Sequence, residues 1–205
     1  MVHRMNDDTR VAQRRQLRVD LRARRRALPA THRIAAADAL AGHLLALPFA
    51  PRSGYVAGYW AVDSEIALHS WQLRLPSECV YCLPVLCDDQ RLRFAPWRPG
   101  DALVSNRHGI PEPDVSASSL LDAESLSLVV LPLVGFDEHG NRLGMGGGWY
   151  DRSFAFRHER SAPPHLVGAA FALQQVPPMA AEPWDVRLDA VCTEAGHFDF
   201  TSSVA

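Results

Sequence analysis

Between Gly140 and Arg152 the chain reads GNRLGMGGGWYDR. Four glycines, Gly144, Gly146, Gly147 and Gly148, cluster there, with Arg142 before them and Asp151 after. Glycine lets the backbone take positive φ and lets a ligand approach the amides closely. Where such a turn opens a helix, the first amides point outward unpaired and the helix dipole favours an anion. The chemistry this suits is the holding of a phosphate. Arg142 would add charge to it. Asp151 would hold Mg²⁺ on it, because a hard cation takes carboxylate oxygen. Trp149 and Tyr150 would line the pocket. The GxxxxGK[ST] pattern is absent, and Trp149 stands where GxGxxG would have its last glycine.

The elements that must position this turn follow from periodicity and punctuation. Leu126 to Leu131 is an apolar run that reads as a buried strand leading into it, with a turn at Asp137 to Asn141 and a helix over Asp151 to His158. Upstream, Thr9 to Leu28 has helical spacing of Val11, Leu17, Leu21 and Leu28, and Pro29 ends it. Thr31 is placed to cap a second helix that runs to Pro48. Ser53 to Trp60, Glu78 to Leu86, Leu92 to Ala95 and His165 to Phe171 read as strands, and Ile66 to Leu73 as a helix. Trp97 to Asp114, rich in Pro, Gly and Arg, reads as a long functional loop. Strands alternating with helices imply an α/β, Rossmann-like domain. It would be a single three-layer unit, with a mostly parallel sheet, helices on both faces and an N-terminal helical pair. No domain boundary is visible across 1–205, and 1–8 reads as a flexible start. Ligands of such sheets bind beyond the carboxyl ends of the strands.

Composition narrows the function classes. Apolar content is 47% and charged content 21%, which suits a globular core. The net charge of -2 argues against nucleic acid or a membrane surface as the main partner. All 21 basic residues are Arg, and ten of them fall between Arg4 and Arg33. A solvated amphipathic helix accounts for most of these, with one or two left to reach a polyphosphate. Any phosphate contact must then come from Arg, a backbone amide or a metal. Cys79 and Cys82 have CxxC spacing, but nothing completes a zinc set, and CVYCLPVLC reads as a buried strand with structural cysteines. No signal peptide or membrane span is visible, so a cytoplasmic protein, acting as a monomer, is expected.

The segment GFDEHGNRLGMGGGWYDR closely resembles the signature of the 5-formyltetrahydrofolate cyclo-ligase (5,10-methenyltetrahydrofolate synthetase) family. Three weaker motifs occur in the family's order: RRQLR near the N-terminus, HGIPEPD from His108 to Asp114, and WDVRLDAVCTE from Trp184 to Glu194. The resemblance implies ATP- and Mg²⁺-dependent closure of 5-formyltetrahydrofolate to 5,10-methenyltetrahydrofolate, with release of ADP and phosphate. Its partners would be ATP and the folate. It further implies that Arg14, Arg15 and Arg18 contact ATP. The stretch Arg142, Leu143, Gly144, Met145, Gly146, Gly147, Gly148, Trp149 and Tyr150 would wrap the phosphates, with Arg142 and Tyr150 catalytic. Asp151 and Asp189 would hold Mg²⁺.

For the folate, the family has a strand followed by E-[VIL]-[DE]-T. Here Glu65 and Ile66 match, while Ala67 replaces the acidic residue and Leu68 the threonine. Val62, Glu65, Ala67, Phe94, Trp97 and Glu112 are the substrate-pocket candidates. The departure at Ala67 and Leu68 leaves two other readings: a diverged ATP-dependent enzyme of the same fold, and a non-catalytic folate- or nucleotide-binding protein.

Overall fold

The computed structural model describes residues 2–201, with side chains described from residue 9. Helix α1 (Val2–Arg26) begins ahead of the expected Thr9. Helix α2 (Ala30–Leu45) is entered through Pro29 and not through a threonine cap; the fixed φ of proline, here -58°, sets the turn. Then follow β1 (Gly54–Ala57), α3 (His69–Arg74), β2 (Cys79–Leu86) and β3 (Leu92–Pro96). The expected loop from Trp97 to Asp114 is in part a hairpin, β4 (Leu103–Ser105) with β5 (Pro111–Pro113). Next come β6 (Leu126–Pro132), β7 (Gly135–Phe136), β8 (Arg142–Leu143), α4 (Trp149–Ser153), β9 (His165–Ala169), β10 (Ala190–Cys192) and β11 (His197–Asp199).

Seven strands form one sheet in the order β11-β10-β9-β6-β1-β2-β3. The five inner strands are parallel, and β3 and β11 close the two edges antiparallel. The α/β, mostly parallel reading therefore holds. Burial on both faces explains the near-continuous apolar strands. Along β6, Leu128 and Val130 turn to the face covered by Ala37, Leu40 and Leu44 of α2, while Val129 and Leu131 turn to the face covered by Phe136 and Phe154. The period of two also separates Cys79 from Cys82: they belong to β2 but pack toward opposite faces, so the CxxC cannot close on a metal. The two N-terminal helices take separate places. α2 lies on the sheet, whereas α1 packs Leu17 and Leu21 against Val134 and Leu143, beyond the end of β6. No helix among the described residues is long and apolar enough to cross a membrane.

Candidate active site

The chain leaves β1 toward β2 on one side, and leaves β6 toward β9 and β10 on the other. The carboxyl ends of the adjacent strands β1 and β6 are therefore the switch point, where the connecting loops diverge and where ligands of such sheets bind. The loop after β1 carries residues 58–65. The loop after β6 carries the glycine segment. Arg25 ties the two together: it is 1% exposed and donates to the carbonyls of Asp63 (2.8 Å) and Leu133 (3.2 Å).

Asp137 builds the approach to the glycines. Its buried carboxylate accepts from the amides of His139 (2.9 Å), Asn141 (3.0 Å) and Met179 (2.8 Å) and from the Asn141 side chain. Burial works to raise its pKa, but these donors outweigh burial and hold it below the usual value. The β7–β8 hairpin follows, with Leu143 buried under α1, and residues 144–148 emerge exposed or half-buried. Gly146 (φ 96°) and Gly148 (φ 66°) take the left-handed region that favours glycine. Among the described residues, no acceptor within the chain takes a hydrogen bond from the amides of residues 144–148. Five successive amides without a partner suit an anion.

The helix expected from Asp151 to His158 is shorter. α4 has five residues and passes into a 3-10 turn at Ala155–His158. So short a helix sums few peptide dipoles, and most of the positive charge must come from arginines. Arg18 donates through Nε to the Gly144 carbonyl at 2.8 Å. Arg14 donates to Asp185 at 3.0 Å and to the Ala180 carbonyl at 3.3 Å. Burial and the neighbouring Arg14 lower the Arg18 pKa, with Asp185 acting against them. Arg15 lies one helical step away from this face and is exposed. Arg142, with only 7% of its side chain exposed, donates to the Val186 carbonyl and pairs with Asp151. The guanidinium groups of Arg107, from the β4–β5 turn, and Arg152 both lie over the Trp149 ring, at 5.1 and 5.4 Å from its centroid. Met145 is 56% exposed.

The two aspartates expected to hold a metal are not brought together. Asp151 accepts from the Val186 amide at 3.2 Å. Asp189 stands at the amino end of β10, where it takes Arg157 (2.8 Å) and the Leu166 amide (2.7 Å). The aspartate beside Arg14 and next to Val186 is Asp185, which the sequence reading passed over. Four residues of extended chain span up to about 14 Å, so 185 and 189 can serve different ends of the sheet. Asp151 and Asp185 offer two carboxylates at the glycine segment. Mg²⁺ is commonly held by one or two carboxylates plus substrate phosphates, so this donor set fits the ion. No cluster of three His, Cys, Asp or Glu side chains that could hold a metal alone exists among the described residues.

On the β1 side, Glu65 accepts through its carboxylate from the Val62 amide (3.0 Å), and its own amide donates back to the Val62 carbonyl (2.9 Å). Burial raises the Glu65 pKa against that amide and Arg25. Tyr59 donates to the Ile66 carbonyl at 2.6 Å, which closes the base of the loop. Burial pushes the Tyr150 phenol up, and the negative charge of the Glu65 carboxylate adds to it. Trp60, missed by the sequence reading, is 38% exposed and meets Trp97 edge to face with centroids 5.8 Å apart.

Three substrate candidates have other duties. Phe94 is fully buried against Phe154. Glu112 accepts from the Leu86 amide (3.2 Å) and Asn106 (3.1 Å), which anchors the β4–β5 hairpin to β2. Ala67 packs against the α2-side core, and its neighbour Leu68 is buried. Nothing in the sequence singled out Trp60; Asp185 lay within the WDVRLDAVCTE motif, but its place beside Arg14 arises from tertiary neighbours.

A model of the 5-formyltetrahydrofolate cyclo-ligase family matches residues 10–194. A Haemophilus influenzae protein named 5-formyltetrahydrofolate cyclo-ligase is 35% identical over 85% of this chain and 94% of its own length. The Escherichia coli K12 protein of that name is also 35% identical, over 84% and 96%. In fold, the chain is similar to the solved structure of Aquifex aeolicus 5,10-methenyltetrahydrofolate synthetase, with a TM-score of 0.77, 24% identity, and coverage of 94% of this chain and 95% of that one.

Proposed function

Because this chain belongs to the 5-formyltetrahydrofolate cyclo-ligase family, we propose that it closes 5-formyltetrahydrofolate to 5,10-methenyltetrahydrofolate at the β1–β6 switch point, using Mg-ATP. The observation that carries this reading is Arg25, which ties the loop of Glu65 to the loop of the glycine segment at the switch point, together with five amides that have no acceptor in the chain. It supports one crevice with a carboxylate for a pterin's donors on one wall and an anion cradle on the other.

In the reaction, the formyl oxygen attacks the γ-phosphorus and ADP leaves. The second folate nitrogen then attacks the activated carbon, and the formyl oxygen departs with the phosphate. An amide oxygen is a weak nucleophile, so the protein mainly positions the two ligands and neutralises phosphoryl charge. The amides of residues 144–148 hold phosphate oxygens. Arg14 and Arg18 add charge from α1. Arg142 turns from Asp151 toward the transferring group, or shares it. Asp151 and Asp185 would hold Mg²⁺, whose contribution is charge neutralisation on the phosphates. Glu65 orients the folate ring. Tyr150, kept protonated by burial, serves as a hydrogen-bond donor over the reacting atoms.

The test is to mix the protein with Mg-ATP and 5-formyltetrahydrofolate and follow the methenyl product's ultraviolet absorbance. Product that depends on both substrates and on Mg²⁺ is expected. ATP binding without product would overturn the reading.

A further inference from the structure

Asp63 and Ser64, directly before Glu65, both take left-handed φ values, 51° and 62°. Neither is glycine, so each costs energy unless its surroundings impose it. Those surroundings are four arginines. Arg22 donates to the Asp63 carboxylate at 2.7 Å. Arg25 donates to the same carboxylate oxygen at 3.1 Å and to the Asp63 carbonyl, and Arg26 pairs with the other oxygen. Arg33 donates to the Ser64 hydroxyl at 3.0 Å. Burial works to raise the Asp63 pKa, but the guanidinium groups outweigh it and keep the carboxylate ionised.

The arrangement is more than a helix staple. Arg14, Arg18, Arg22 and Arg25 recur on one face of α1, and Arg26 flanks it. The first two meet the glycine corner and the last three meet Asp63. At about 1.5 Å per residue, Arg14 and Arg26 stand roughly 18 Å apart along one rigid element. One face of α1 therefore serves both walls of the crevice, and Arg25 bridges them through Leu133.

We propose that Asp63 is a positioning residue for the folate half of the site: clamped by Arg22, Arg25 and Arg26, it fixes the left-handed turn that aims Glu65. It touches no reacting atom. The inference rests on the proposed function, in which Glu65 meets the folate. It gives the arginine-rich stretch of α1 a second task beside phosphate contact.

The experiment compares Asp63→Asn, Glu65→Gln and the parent protein in the absorbance assay, with KM measured separately for 5-formyltetrahydrofolate and ATP. Asparagine tolerates left-handed φ, so Asp63→Asn keeps the turn's local preference while removing the charge that three guanidiniums share. The expected result is a five- to twentyfold rise in KM for the folate, with KM for ATP within twofold and kcat little changed. A folate KM within twofold of the parent would overturn the proposal. So would equal rises in both KM values with a lowered Tm, because that is what general loosening of α1 gives. Should Asp63→Asn not fold, Arg26→Gln, whose side chain is 54% exposed, reads the same split at smaller amplitude. Glu65→Gln separates the two levels. If it leaves the folate KM unchanged, the folate role of Glu65 fails; if it raises that KM while Asp63→Asn does not, only the positioning role fails.

Discussion

Arg142 and Asp151 pair across the glycine segment, one just before the glycines and one just after. The contact draws the two ends of residues 142–151 together and closes the segment into a loop. In the proposed function Asp151 would thus have a dual duty, as partner of a nearly buried guanidinium and as a carboxylate for Mg²⁺ on the phosphates. Asp151→Asn keeps the shape and the Val186 contact but removes the charge. Breaking a buried pair costs about 3–5 kcal/mol, and partial exposure of Asp151 reduces this to roughly 1–2. The expected Tm loss is about 2–8 °C. Turnover should fall by about 10²-fold or more, and extra Mg²⁺ should not restore it. Undiminished turnover at saturating Mg-ATP would show that the metal assignment is wrong.

The aspartates of the WDVRLD segment should separate in their effects. Asp185 lies beside Arg14, whereas Asp189 holds Arg157 and the Leu166 amide at the amino end of β10. Asp185→Asn is expected to raise the Mg²⁺ concentration needed for half-maximal rate about tenfold, with little change in Tm. Asp189→Asn is expected to lower Tm by several degrees, with the rate per folded molecule kept. Titrating Mg²⁺ against both variants checks this, and the opposite pattern would restore Asp189 as the ligand.

Why the sequence identified one wall of the crevice better than the other follows from what each wall depends on. The glycine segment is local: positive φ at Gly146 and Gly148 demands glycine, and β6 before it is apolar because both of its faces are buried. Such demands leave a mark in consecutive residues. Asp63 leaves none, because its meaning comes from arginines about forty positions away. Trp60 and Trp97 likewise meet only when β1 and β3 lie in one sheet. Asp185 and Asp189 look alike in the chain, and only the path of the segment past the sheet distinguishes them. The Ala67 substitution reads as a lost ligand in sequence but as a core contact in the fold.

Glu65 gives a pH dependence with a defined sign. Burial raises its pKa above that of a free glutamate. A carboxylate must be ionised to accept from a pterin's donors, so kcat/KM for the folate should fall as pH drops through this raised value. The acid limb should lie above the usual glutamate range, and Glu65→Gln should remove it along with much of the affinity. Stability runs the other way. The folded state binds the proton more tightly than the unfolded chain, so stability falls as pH rises from the ordinary glutamate pKa to the raised one. The Gln variant should flatten that slope in urea melts taken across the window. An acid limb unchanged in Glu65→Gln would assign it to another group.

Trp60 is the residue on which the shape of the folate wall can be tested without touching charge. It is 38% exposed, sits three residues past the end of β1, and is braced edge to face by Trp97. An exposed indole held by another indole is a stacking surface, and stacking of one flat heterocycle is worth about 1–3 kcal/mol. Trp60→Ala should therefore raise KM for 5-formyltetrahydrofolate by about tenfold, while KM for ATP stays within twofold. Trp60→Phe, which keeps an aromatic face, should recover most of the loss. Binding titrations without ATP check the same point away from turnover. If alanine and phenylalanine behave alike, the exposed indole has no stacking role and the pterin lies elsewhere along the crevice.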